Sequence, residues 1–132
     1  MITSISNMSF NSIESIDDKE LDEQHSKLIE FTNNLILNYD REENIEVISA
    51  IDSLVNYAIY HFKFEEEMLK QKGYPDLEKH KVLHDIFRNK VDSLRKKIEG
   101  GDKDVIDQMI LFLRSWIKHH ISIEDVDYKK YL

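Results

Sequence analysis

Five histidines and one glutamate stand where a helical core would want leucine. HxxxE at His61 and Glu65 and HxxxH at His80 and His84 each set two donor groups one turn apart on one helix face, and His25 and His120 add single nitrogens to two further apolar stripes. An unpaired polar group buried in such a stripe costs on the order of 1–3 kcal/mol, and a lone charge more, so these side chains need one another or a shared ligand. Imidazole suits zinc, copper, iron and nickel, and a carboxylate adds the hard oxygen that iron and manganese accept; the set points away from calcium and magnesium. Asp125, five residues after His120, is a seventh candidate, and seven donors are too many for one tetrahedral metal. A five-residue step along an α-helix turns about 140° away, so His120 and Asp125 both face inward only if the helix ends or bulges between them. His119 is out of phase and reads as a surface or boundary residue.

The elements that must position these groups are four helices. Breaks at Asn38 to Asn44, at Gly73, Tyr74 and Pro75, and at Gly100, Gly101 and Asp102 divide the chain into an arm over 1–17 and helices over about 18–38, 43–71, 76–99 and 102–120. The first carries Leu21, His25, Leu28, Thr32 and Leu35 at alternating steps of four and three. The second carries Ile51, Leu54, Ala58, His61, Glu65 and Met68 on one face. The third has Leu77, His80, His84, Phe87, Val91, Leu94 and Ile98; the fourth has Asp102 as a cap and then Ile106, Met109, Leu113, Trp116 and His120. Short connections favour antiparallel neighbours, which predicts an all-α, up-down-up-down bundle with the arm packed outside it. Early positions on the first and third helices then meet late positions on the second and fourth. All six donors converge at one end.

The rest of the composition narrows the function. The chain has 132 residues, one core's worth, and no cysteine, which removes disulfides, thiolate sites, iron–sulfur clusters and cysteine nucleophiles. A net charge of −8 argues against a phosphate-binding surface, so nucleic acid is not an expected partner. The first 18 residues hold no Lys or Arg, and MILFL at 109–113 is too short to span a bilayer, so a cytoplasmic protein without membrane insertion is expected.

DEQHSKL around His25, HFKFEE from His61, GYPDLEKHKVLH ending at His84 and WIKHHISIEDVDY from Trp116 resemble the hemerythrin family in order and spacing over nearly the whole chain, and specifically its single-domain bacterial type. The resemblance implies a non-haem di-iron centre that binds dioxygen reversibly. It places His80, His84 and His120 on one iron and His25 and His61 on the other, with Glu65, Asp125 and an oxo or hydroxo group bridging them. One iron is then six-coordinate and the other five-coordinate, with a position open to dioxygen. Two ferrous ions, two carboxylates and a hydroxide leave a net charge near +1 to bury. Family placement also implies an oxygen pocket of Leu28, Phe62, Trp116 and Ile117.

Gln24 and Asp22 are candidates to orient ligand imidazoles, although a first-turn position favours exposure for both. Met8 and Phe10 stand in the arm where many relatives carry tryptophan. Ser122 is polar where an apolar residue would be expected near the pocket, which predicts easier water entry. The competing expectation is a di-iron enzyme with peroxidase, nitric-oxide or ferroxidase-type activity. Ferritin-like oxidases, however, use two ExxH pairs, and no histidine here has Glu three residues before it.

Overall fold

Asp18 starts the first helix: its Oδ1 accepts the Leu21 N–H at 3.0 Å, satisfying one of the donors a helix start leaves open. In the computed structural model, which describes residues 18–40, 44–102, 104–124 and 126–132, four α-helices follow. They are α1 (Lys19–Asp40), α2 (Asn44–Gln71), α3 (Leu77–Glu99) and α4 (Val105–His119). The chain then widens into a π-helical turn over His120–Glu124 and tightens into a 3-10 turn over Val126–Tyr131. The expected arm over 1–17 lies outside the described residues.

Each helix packs on its chain neighbours, and α1 also packs on α4. The pairs run antiparallel. Arg95, late on α3, reaches Asp52, early on α2, and Tyr39, late on α1, donates to Asp107, early on α4. The architecture is the all-α antiparallel four-helix bundle that the stripes predict. None of the described helices is long and apolar enough to cross a membrane.

The stripes are buried as read. On α1 and α2, Leu21, His25, Leu28, Thr32, Leu35, Ile51, Leu54, Ala58, His61 and Glu65 are all buried, and Met68 partly so. The stripe of α3 is buried from His80 to Ile98. Thr32 is tolerated in the core because its hydroxyl donates to the Leu28 carbonyl at 2.7 Å.

Two glycines close helices. Gly73 and Gly101 adopt φ of 69° and 94°, a region that penalises a Cβ. Beyond them the Tyr74 N–H returns to the Leu69 carbonyl and the Asp102 N–H to that of Lys97, which satisfies carbonyls the helix ends leave open. The second closure corrects the expected start of α4. The Asp102 N–H still belongs to the end of α3, and the fourth helix begins at Val105 rather than at 102, with Asp104 in the cap position. The first of these closures brings Tyr74 and Leu69 together. With Leu21 and Tyr128 they form a small apolar cluster, separate from the main core.

Candidate metal centre

Between the main core and that small cluster lies a polar layer. His25 on α1, His61 and Glu65 on α2, His80 and His84 on α3 and His120 at the start of the π turn are all at most 3% exposed. Glu65 is their hub. Its Oε1 sits against His80 Nε2, 3.0 Å from His84 Nε2 and 3.2 Å from His120 Nε2; its Oε2 lies 3.2 Å from His61 Nε2. Donor atoms gather into two groups, each with all its atoms within 4.8 Å of one another: Glu65, His80, His84 and His120 in one, His25, His61 and Glu65 in the other. One carboxylate thus serves both groups, with an oxygen turned to each. Asp125, the remaining expected ligand, lies outside the described residues.

The sequence matches the family described as Hemerythrin HHE cation binding domain over residues 17–132. The chain belongs to the hemerythrin family. A bacteriohemerythrin of Clostridium acetobutylicum is 35% identical over 114 residues, covering 83% of this chain and 88% of that one. One from Stenotrophomonas maltophilia is 33% identical over 108 residues, 82% of this chain and 70% of the relative, and one from Methylococcus capsulatus is 32% identical over 104 residues, 79% of each. Membership carries a non-haem iron-binding function related to oxygen.

The donor set fits such an iron site on its own chemistry. The groups are nitrogen and carboxylate oxygen, buried, convergent and drawn from all four quarters of the bundle. Their protonation also suits a hemerythrin centre. Burial alone would raise the Glu65 carboxyl, but the charges and hydrogen bonds of His120 and His61 outweigh it and hold the group well below the usual carboxylate range. Burial pushes His84 down, against the opposing pull of Glu65, which favours the neutral imidazole that a metal needs.

Side chains around the donors fix which nitrogen each ring offers. His61 Nδ1 lies 2.7 Å from Gln24 Oε1, and Gln24 Nε2 donates to Glu20 Oε1 at 3.1 Å. The amide is therefore oriented with its oxygen toward the ring; Nδ1 carries the proton and Nε2 is left for a metal. His84 Nδ1 donates to Glu66 Oε2 at 2.6 Å and makes the same choice. Tyr128, fully buried, donates its hydroxyl to Glu65 Oε2 at 2.8 Å.

Several expectations need adjusting. Gln24 is not an exposed first-turn residue; it is 2% exposed and orients His61, because α2 packs across its side of α1. Asp22 is half-buried rather than exposed. Ser122 is exposed on the π turn rather than facing a pocket, so the water entry expected of it loses its basis. His119 is exposed, as its phase requires. Among the expected pocket residues, Phe62 stacks on His84 with centroids 4.0 Å apart, and half-buried Trp116 stacks on His120 at 4.6 Å. Leu28 and Ile117 are buried in the main apolar cluster.

Glu66 and Tyr128 end two of the motifs quoted above, HFKFEE and WIKHHISIEDVDY, but neither is given a role there. Glu66 hides in the run Glu65, Glu66, Glu67, where only its place one residue past a core glutamate marks it. Tyr128 is the last residue of WIKHHISIEDVDY, and its element carries no periodicity to place it.

Proposed function

We propose that the chain binds dioxygen reversibly at a pair of non-haem irons, with His80, His84 and His120 holding one ion, His25 and His61 the other, and Glu65 and Asp125 bridging them. The observation that carries this reading is the division of Glu65, one oxygen toward three imidazoles and the other toward the second group. An iron pair so held would supply two electrons to dioxygen and take them back on release.

The protein's own part is to hold the donors and keep water away. Gln24 and Glu66 lock His61 and His84 in the tautomer that offers Nε2. The ring faces of Phe62 and Trp116 cover His84 and His120, and the cluster of Leu21, Leu69, Tyr74 and Tyr128 closes the outer side. The His-x4-Asp spacing finds support in the π turn that begins at His120, since i→i+5 bonding brings residues five apart toward one face.

Iron analysis with absorption spectra of the reduced protein, before and after air and after deoxygenation, tests the reading. About two irons per chain and a charge-transfer band that appears and disappears reversibly are expected from the donor count. A colourless protein with one zinc would refute it. A band that decays with turnover of an added reductant would favour the enzyme reading instead.

A further inference from the structure

Three contacts around the centre fall unequally on its two halves, and all three push the same way. In the three-histidine half, His84 Nδ1 donates to a carboxylate, Glu66 Oε2, at 2.6 Å. In the other half, His61 Nδ1 donates to a neutral amide oxygen, Gln24 Oε1, at 2.7 Å. The third contact is on the shared carboxylate: the Tyr128 hydroxyl donates to Oε2, the oxygen turned toward His61.

The chemistry of each contact is definite. A carboxylate acceptor shifts a ring proton toward itself and makes the opposite nitrogen a stronger donor, whereas a neutral amide orients the ring with far less polarisation. A phenol bonded to a carboxylate oxygen draws electron density out of that oxygen and weakens its hold on a cation. The first effect strengthens the half that already has more imidazoles, and the other two leave the His25 and His61 half weaker.

Resting on the di-iron reading above, we infer that Glu66, Gln24 and Tyr128 set an unequal grip: the His80, His84 and His120 half fills first and retains its ion, and the His25 and His61 half is the exchangeable one. All three act as positioning residues.

Ligand count alone would make the halves differ, so the test must change the grip without changing the ligands. Metal-free full-length chain is titrated with ferrous ion under nitrogen and followed by calorimetry, with the melting temperature of each metal-free variant as the control for folding. The parent should take up its two ions in resolved steps at least roughly tenfold apart, the size of effect that such outer contacts have on metal affinity. Glu66→Gln should weaken the tight step about tenfold and leave the loose step unchanged.

The double variant Glu20→Gln with Gln24→Glu exchanges amide and carboxylate beside His61 at constant charge, and should tighten the loose step by a similar factor. Tyr128→Phe should tighten that step a few-fold. A parent that binds two ions in equal steps, or variants that move both steps together, would overturn the inference while leaving the di-iron reading intact. A parent that binds fewer than two ions would overturn both.

Discussion

The two ends of the bundle are built by the same four helices in the same register, yet one is hydrocarbon and the other is a layer of imidazoles. At the apolar end Leu35, Ile51, Leu54, Leu94, Ile98, Ile106 and Met109 fill the stripe positions. At the other end the same positions carry His25, His61, Glu65, His80, His84 and His120, equally buried. Burial here is decided by helix phase and not by side-chain polarity. What the polar end needs in exchange is partners for its groups and a second apolar layer outside them, which Leu21, Leu69, Tyr74 and Tyr128 supply.

That contrast can be broken from either side. The largest effect should come from Glu65→Ala, which removes the hub shared by both groups: iron analysis should fall from about two ions per chain to well below one, while the far-ultraviolet circular dichroism keeps its helical signal. Full iron retention would contradict the shared role. At the apolar end, Leu54→Ala should cost about 2–5 kcal/mol in a urea titration, because a fully buried side chain leaves a cavity, yet iron per folded chain should not change.

Acid should act on the polar end. In the metal-free chain burial holds His84 below its ordinary value of 6.5, and the charges and hydrogen bonds of His120 and His61, outweighing burial, hold Glu65 well below 4.5. The folded state therefore binds fewer protons than the unfolded one at both groups, so stability falls as the pH drops through about 6.5 and falls again below 4.5. Urea midpoints at pH 7.5, 5.5 and 4 should decline in that order, and a flat series would remove these groups from the balance. The smallest effect belongs to the outer surface of the apolar end. Asp52→Asn breaks a two-pronged pair with Arg95, 2.9 and 3.1 Å, but both partners are partly exposed, so less than about 1 kcal/mol should be lost.

Helix phase was legible in the sequence because apolar residues recur at the helical period, and the donors were legible because they interrupt it. Four helices and six convergent donors follow from those two signals. Contacts that depend on a neighbouring helix were not. Gln24 looks like a first-turn surface residue until α2 packs against it, and Glu66 looks like one of three solvated glutamates until α3 brings His84 within 2.6 Å. The start of α4 was misplaced: Asp102 resembles a cap, but the helix starts at Val105, past the turn at Gly101 that closes α3. Tyr128 closes a quoted motif but was given no role, because the short 3-10 turn that carries it leaves no repeating pattern.

The π turn at His120–Glu124 has one more consequence. A turn that closes i→i+5 behaves as an α-helical turn with one residue inserted, so the count of residues there is itself information. Ser122 is exposed and its side chain is free to vary, yet deleting it would close the turn to an ordinary α-helical one and shorten the His-x4-Asp spacing by one residue. At Ser122 the chain should therefore accept substitution and reject deletion.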